Sequence, residues 1–202
     1  MCGITSAIIK KESNKYWDLL KISEIRGQDG TGITILRDNK LKTYHWPQKA
    51  SFVSDYPELS ENDIIIGQNR LACFGLDSKN NQPLVTERYA LVHNGNLINF
   101  EKEFKEQNLK REYEVDTELI LRIIERDNSV ENVFKLKGNF ACLLIDKEKK
   151  TLTVFRRDKP IWYTEDETGI YFYSTDRIGK KIFDNGNELK EKEIIKVVIN
   201  KK

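Results

Sequence analysis

The sequence predicts an α+β fold in which a sheet lies between helices and a further layer. Short β-type segments, separated by Asp, Asn, Gly and Pro, fill most of the first half of the chain. Apolar residues at helical spacing follow from about residue 99. In residues 140–145 the even-numbered and the odd-numbered side chains are both apolar, so this strand must be covered on both faces. Two stacked sheets with outer helices satisfy that requirement.

The first half of the chain is predicted to be mostly β, with one early helix. Residues 4–9 have the composition of a strand. A helix capped by Ser13 or Asn14 follows, and its apolar stripe ends near Gly27. Turn residues then separate four predicted strands, at 32–37, 41–46, 64–70 and 89–93.

The second half is predicted to hold helices first and strands afterwards. One helix begins near Asn99, and another opens at Asp116, a residue type that favours the N-cap position. A shorter helix around 130–134 ends before Gly138. Strands return at 140–146, 151–155 and 170–174. No repeat or linker interrupts the pattern, so we expect a single domain over residues 1–202.

Composition excludes several classes of protein. The chain has 202 residues, of which 39% are apolar, as is ordinary for a globular domain. Its net charge of +2 gives no large field to hold nucleic acid or an anionic membrane. No apolar run approaches the roughly 20 residues of a membrane span, and the amino terminus lacks the pattern of a secretory signal. We therefore expect a soluble protein without nucleic-acid or membrane partners.

The cysteine and histidine content argues against metal sites and disulfides. Three cysteines, Cys2, Cys73 and Cys142, are an odd number without CxxC spacing, and His45 and His93 are the two histidines of the sequence. We expect no metal, no cofactor and a reducing cytoplasm. Cys142 lies in the strand with two apolar faces and is predicted to be a core residue, and both histidines are predicted to be structural.

Cys2 is the first candidate for chemistry. Its small side chain after Met1 favours removal of the initiator methionine, which would make Cys2 the first residue. An α-amino group with a reference pKa of about 7.7 to 8 could then act as the base for the thiol. The alternative is that any small residue can follow Met1, and a cysteine there, taken alone, favours this alternative.

Two arginines stand in turn-rich segments. In RGQDGTG, residues 26–32, the glycines favour a helix stop followed by a hairpin turn, which leaves Arg26 unexplained. The segment is not a phosphate loop, because the Lys and Ser/Thr of that motif are missing. Arg70 ends an apolar strand in GQNRLACFG, where its guanidinium could clamp a carboxylate through two parallel hydrogen bonds. It could also be an ordinary surface arginine.

The segments HNGN and VDTE each allow two interpretations. Asn94 and Gly95 fit a type I′ turn. The side-chain amide of Asn94 and the backbone N–H of Gly95 could instead stabilise a developing oxyanion. Asp116 either caps a helix or binds a substrate ammonium group.

The chain resembles the glutaminase domain of class II glutamine amidotransferases in the order of seven segments, which are MCGI, RGQDGTG, NRLACFG, NQP, HNGN, VDTE and GNFA. The resemblance runs from Met1 to about Ser174. RGQDGTG and HNGNLIN are most similar to segments of amidophosphoribosyltransferase, and next to those of glucosamine-6-phosphate synthase. The resemblance implies the N-terminal nucleophile hydrolase fold, a four-layer α/β/β/α sandwich of two stacked, mainly antiparallel sheets with outer helices.

The resemblance also implies a reaction. Cys2 would attack the side-chain amide of L-glutamine, and its free amine would carry the proton. Ammonia would leave a γ-glutamyl thioester, which water would hydrolyse to glutamate. In this scheme the tetrahedral states, the two charged ends of glutamine and the nucleophile each have protein partners. We expect catalytic roles for Cys2, Asn94 and Gly95, and substrate-binding roles for Arg70, Asp116, Cys73 and Arg26.

Two residues depart from the family pattern. Cys73 stands where the family has a hydroxyl residue that helps bind glutamine, and Gln68 stands where it has a histidine. A thiol is a weaker hydrogen-bond partner than a hydroxyl, so glutamine affinity is expected to be modestly weaker. The family joins this domain to a synthase, for which there is no room after Lys202, so we expect the ammonia acceptor on a separate subunit. Two alternatives remain, a catalytically weak glutamine-binding or regulatory domain and an amidase for another γ-glutamyl amide.

Overall fold

A computed structural model describes residues 1–72 and 77–199, apart from the side chain of Ser78. The strands of this part of the chain are β1 (Gly3–Ile9), β2 (Gly30–Arg37), β3 (Lys40–Trp46), β4 (Ile64–Arg70), β5 (Leu84–Val85), β6 (Tyr89–Leu97), β7 (Gly138–Asp146), β8 (Thr151–Arg157), β9 (Trp162–Glu165), β10 (Gly169–Tyr173), β11 (Asn187–Glu188) and β12 (Ile194–Val198). The α-helices are α1 (Lys15–Ser23), α2 (Phe100–Glu106), α3 (Thr117–Asp127) and α4 (Asp176–Gly179). Short 3-10 turns lie at Glu24–Arg26, Ala50–Phe52, Ser78–Asn80 and Glu131–Lys135.

The strands form two antiparallel sheets. One sheet has seven strands in the order β11-β9-β10-β1-β4-β2-β3, and the other has five in the order β12-β8-β7-β6-β5. Neighbouring strands are antiparallel throughout both sheets, as predicted. The first half of the chain supplies the centre of the seven-stranded sheet, and β10 returns to complete it beside β1.

The strand β7 explains how the layers stack. Its residues Ala141, Leu143 and Ile145 are fully buried in the apolar core between the two sheets. The alternate residues, which include Cys142, are buried in a second core beneath α2 and α3. The prediction of a strand covered on both faces is confirmed, and so is the core position of Cys142.

A third core completes the sandwich. The apolar face of α1, with Tyr16 and Leu20 fully buried, packs on the outer face of the seven-stranded sheet, and Ile178 of α4 joins it. The layers are therefore helix, sheet, sheet and helix, which confirms the predicted α/β/β/α arrangement. Among the described residues no helix has the length and apolarity of a membrane span.

The predicted cap of α1 at Ser13 or Asn14 and the end of the helical segment near Gly27 are confirmed, whereas several short strands were missed. The helix α1 ends at Ser23, and a 3-10 turn carries the chain on to Arg26. The residue at its N-cap is Asn14, but the side chain that bonds the helix start is Ser13, whose Oγ accepts from the Lys15 N–H at 3.1 Å. The short strands β5, β9 and β11 and the edge strand β12 were not predicted. They are brief or pair on one side, so their sequence periodicity is weak.

The expected turn at Asn94 and Gly95 is also absent from the structure. The strand β6 continues through both residues to Leu97, because β7 offers a full-length antiparallel partner, with Asn94 opposite Ala141 and Gly95 opposite Phe140.

Candidate active site

A cavity of ≈ 310 Å³ lies where the start of β1, the end of β4 and the second half of β6 meet. This volume lies at the lower end of the range of about 300 to 1,000 Å³ that is typical of small-molecule sites. Of the seven predicted site residues it brings together Cys2, Arg70, Asn94, Gly95 and Asp116. The rest of its lining is Met1, Gln68, Leu71, Gln82, His93, Asn96, Val115, Asn139 and Lys159.

Two predicted site residues are not in this lining. Cys73 lies outside the described residues. Arg26 lies beside Cys2 and lines a neighbouring cleft instead, where its Nε donates to the Cys2 carbonyl at 2.9 Å. Burial lowers the pKa of Arg26, and the charge of the Cys2 group acts in the opposite direction. The arginine is thus held against the backbone of Cys2, and its contact with a substrate stays a prediction.

Cys2 is half-buried at the mouth of the cavity. Its Sγ accepts a hydrogen bond from the Leu71 N–H at 3.4 Å and can donate to the Leu71 carbonyl at 3.7 Å. The backbone N–H of Leu71 therefore approaches the sulfur, while Arg26 is held on the carbonyl of Cys2.

The RGQDGTG segment holds this backbone in place. The Asp29 N–H donates to the Arg70 carbonyl at 3.0 Å, and Asp29 Oδ2 accepts from the Ala72 N–H at 2.8 Å. A Cβ at Gly27 would lie 2.4 Å from the carbonyl carbon of Arg70, so the close approach of the two segments requires glycine. The segment therefore does not form the expected hairpin turn. It joins the 3-10 turn to β2 and packs against the end of β4.

Arg70 is a buried residue, which excludes the surface-arginine alternative. It is 7% exposed, and its Nη1 donates to Asn81 Oδ1 at 2.7 Å and to the Asp77 carbonyl at 3.3 Å. These bonds fix the guanidinium at the cavity wall. A fixed cation of this kind can receive a carboxylate.

Asp116 supplies a buried negative charge. It lies at the start of α3, in the helix layer that covers the five-stranded sheet. The predicted N-cap position of Asp116 at the start of α3 is confirmed, but its side chain makes no capping hydrogen bond. Its Oδ2 accepts instead from the Leu97 N–H at 2.8 Å, at the end of β6. The carboxylate is therefore held at the cavity and not over the helix.

Asn94 presents a buried donor to the cavity. The residue is 2% exposed, and its Nδ2 has no hydrogen-bond partner among the described residues. Buried polar groups in native proteins are paired with few exceptions, and the exceptions concentrate at functional sites. Gly95 lies next to it in β6, and the role of both residues as oxyanion donors stays a prediction.

His93 and Gln82 join β6 to α3. His93 Nδ1 lies 3.1 Å from Thr117 Oγ1 and 3.6 Å from Asp116 Oδ1. Burial lowers the pKa of His93, while the Asp116 carboxylate and the Asn139 carbonyl raise it. Gln82 accepts from the His93 N–H at 2.6 Å and donates to Thr117 at 2.7 Å. The packed histidine is confirmed, whereas Gln82 was missed although its segment NQP had been noticed.

Two further residues of the lining had not been predicted to act in the site. Gln68 had been noted as a departure from the family pattern, and Asn139 stands in the GNFA segment. Gln68 Oε1 and Asn139 Oδ1 are buried acceptors without a partner in the described structure. No cluster of metal-ligating side chains occurs in that part of the chain.

Comparison with known proteins gives the following similarities. A family model described as a glutamine amidotransferase domain matches residues 54–199. The isomerizing glutamine–fructose-6-phosphate aminotransferase of Bartonella henselae is 30% identical over 197 residues, which cover 88% of this chain and 32% of that protein. The 7-cyano-7-deazaguanine synthase 2 of Sulfurisphaera tokodaii is 26% identical over 222 residues, which cover 98% of this chain and 48% of that protein.

Solved structures agree in fold. The glutamine phosphoribosylpyrophosphate amidotransferase from B. subtilis, complexed with ADP and GMP, has a TM-score of 0.82 at 21% identity, covering 98% of this chain and 47% of that one. An allosteric regulatory enzyme of purine biosynthesis has a TM-score of 0.80 at 22% identity. The predicted N-terminal nucleophile hydrolase fold is confirmed. The chain spans about a third of the length of the aminotransferases it matches.

Proposed function

Since this chain belongs to the family of glutamine amidotransferase domains, we propose that it hydrolyses the side-chain amide of L-glutamine through a thioester on Cys2, giving glutamate and ammonia. One observation carries the proposal. A thiol, an amide donor, a buried cation and a buried anion meet at a single cavity, namely Cys2, Asn94, Arg70 and Asp116.

The nucleophile is the Cys2 thiol, and the base is its own α-amino group once Met1 has been removed. Such an amine has a reference pKa of about 7.7 to 8, so much of it is neutral near physiological pH and can take the thiol proton. Met1 also lines the cavity, so its removal opens the wall beside the sulfur. Because the proposed nucleophile must be in its reduced thiol form to react, we propose that the protein works in the reducing cytoplasm.

The bond changes follow from this arrangement. The sulfur bonds to the amide carbon as its proton passes to the amine, and the carbonyl oxygen becomes an oxyanion. The Asn94 Nδ2 and the Gly95 N–H donate to that oxyanion. The carbon–nitrogen bond then breaks, the amine returns the proton to the leaving nitrogen, and ammonia departs. Water adds to the thioester in the same way, which releases glutamate and restores the thiol.

The far end of the substrate carries two opposite charges. Arg70 receives the α-carboxylate, and Asp116 receives the α-ammonium group. Both side chains are buried and held by hydrogen bonds, so little ordering is needed when the substrate arrives. Arg26 and Cys73 remain proposed contributors to substrate binding.

Intact-mass spectrometry tests the nucleophile and its processing together. Untagged protein is measured before and after exposure to a diazo-ketone analogue of glutamine. Loss of Met1 and a single adduct are expected, and the adduct must be absent from Cys2→Ala. The matched control is Cys142→Ala, which removes a fully buried thiol outside the cavity and should still be labelled. Processed protein that stays unlabelled would favour a binding or regulatory domain.

We propose that the ammonia is consumed by an acceptor enzyme on a separate subunit. The relatives are named as an aminotransferase and a synthase, and this chain matches only part of each. Free ammonia is wasteful, so glutaminase turnover should be low for the chain alone and should rise when the acceptor is added. Equal turnover with and without each candidate acceptor would contradict the proposal.

A further inference from the structure

Four buried polar atoms at the cavity have no hydrogen-bond partner among the described residues, and they differ in kind. Asn94 Nδ2 is a donor, whereas Gln68 Oε1 and Asn139 Oδ1 are acceptors. The fourth is His93 Nε2, on a buried ring whose pKa is lowered by that burial. The cavity therefore offers one buried amide donor and two buried amide acceptors to whatever binds in it.

The orientation of Gln68 is fixed by the opposite sheet. The residue lies on β4 of the seven-stranded sheet and is 1% exposed. Its Nε2 donates at 2.8 Å to the backbone carbonyl of His93, which lies on β6 of the five-stranded sheet. A carbonyl oxygen can accept but not donate, so the amide end must face His93. This leaves Oε1 as the atom that Gln68 offers to the cavity.

A primary carboxamide has the complementary pattern. Its carbonyl oxygen accepts, and its NH₂ group donates twice. An ester placed in the same position has no N–H, and a carboxylate would bring a negative oxygen to an acceptor. A buried acceptor without its donor costs free energy, so such a site discriminates against ligands that lack the N–H.

We propose that Gln68 is a specificity-determining residue, whose Oε1 accepts a hydrogen bond from the N–H of the substrate carboxamide while Asn94 Nδ2 donates to the carbonyl oxygen. This proposal rests on the amidase reaction proposed above. It assigns the selection of amide over ester to Gln68 in the cavity lining, separately from the charged groups that hold the far end of the substrate.

The test compares two substrates that differ in this hydrogen bond. L-Glutamine carries the amide N–H, whereas the γ-methyl ester of L-glutamate lacks it and keeps the carbonyl and both α-groups. In Gln68→Met the kcat/KM for L-glutamine should fall by about 10- to 100-fold, the loss expected for a buried hydrogen bond. Hydrolysis of the ester should change by less than about threefold, since it never made that bond. Gln68→His, which keeps one donor and one acceptor, should retain most of the preference for the amide.

The matched control is Asn69→Met, one residue further along β4. Asn69 Nδ2 donates to the Leu20 carbonyl and to Ser23 Oγ, on the side of α1, so this variant removes a buried amide that does not line the cavity. It should lower the thermal stability and leave the ratio of amide to ester hydrolysis unchanged.

The outcomes separate this inference from the proposed function. If the unsubstituted protein hydrolyses both substrates and Gln68→Met loses both equally, Gln68 acts on a group that the substrates share, and the inference is overturned. An unchanged ratio in Gln68→Met overturns it as well. If the unsubstituted protein hydrolyses neither substrate and Cys2 takes no label, the proposed function fails and the inference fails with it.

Discussion

Replacement of Gly95 by alanine tests whether the paired backbones of β6 and β7 set the position of the Asn94 amide. A Cβ at Gly95 would lie 2.1 Å from the Asn139 carbonyl oxygen, 2.6 Å from His93 Nε2 and 2.8 Å from Phe140 Cα. The first of these distances is at least about 1.3 Å short of an ordinary van der Waals contact, which begins at 3.4 Å. Two of the three atoms belong to the β7 backbone, so the strands themselves must separate.

The expected effects differ for stability and catalysis. Overpacking of this kind costs about 1 to 3 kcal/mol, which for a domain of this size lowers Tm by roughly 2 to 12 °C. A displacement of about 1 Å at a catalytic group costs about 100-fold in rate. We therefore expect kcat for L-glutamine to fall by about 100-fold. KM should change less than kcat, because Arg70 is anchored on Asn81, outside β6 and β7.

The assay is steady-state glutamine hydrolysis combined with thermal unfolding. Gly169→Ala is the matched control, because Gly169 lies in β10, which does not line the cavity, and a Cβ there would lie 2.6 Å from the Ile8 carbonyl oxygen. It should lose stability and keep its kcat. A Gly95→Ala protein with kcat within twofold of the unsubstituted value, or equal loss of kcat in both variants, would refute the reasoning.

Three other changes have defined outcomes. Asp116→Asn keeps an acceptor for the Leu97 N–H but removes the charge, so KM for L-glutamine should rise by about 10-fold or more with the fold intact. Steady-state kinetics that show no change in KM would contradict the binding of the substrate ammonium group by Asp116. Burial lowers the pKa of His93, so below about pH 6.5 the unfolded chain binds more protons than the folded one. The free energy of unfolding should therefore fall as the pH drops, by at most about 1.4 kcal/mol per pH unit. Denaturant titrations at several pH values should show a smaller dependence of the unfolding free energy on pH in His93→Asn than in the unsubstituted protein. Identical slopes in the two proteins would count against this role of His93. Leu143→Ala opens the core between the sheets and should cost about 2 to 5 kcal/mol by urea unfolding, whereas a loss below 1 kcal/mol would mean that the sheets close the gap.

The layered architecture could be predicted because one strand carries an unusual signal. Both faces of β7 are apolar, with Cys142 on one face and Leu143 on the other, and each belongs to a different core. The helices beside it also have clear apolar stripes. A strand of this composition restricts the possible layers before any contact is known.

The path of β6 could not be predicted from local sequence. Asn-Gly is the strongest short-range signal for a hairpin turn, yet Asn94 and Gly95 lie inside a strand. The partner that extends the strand is β7, more than forty residues further on, and its pairing outweighs the local preference of two residues. A long-range contact also explains why the Asp116 side chain does not cap α3. Its carboxylate accepts a hydrogen bond from the Leu97 N–H at the end of β6 instead.

The candidate site depends on the contact between the sheets, which no single segment encodes. Cys2 precedes β1 and Arg70 ends β4 in the seven-stranded sheet, whereas Asn94 and Gly95 belong to β6 in the five-stranded sheet. The distance between the nucleophile and the oxyanion donors is therefore set by how the two sheets pack. Gln68 donates a hydrogen bond across that junction to the His93 carbonyl, and both residues line the cavity. The separation of Arg70 and Asp116 depends on the same junction, because Arg70 ends β4 and Asp116 is held by the end of β6. A change in the core between the sheets should consequently affect both kcat and KM.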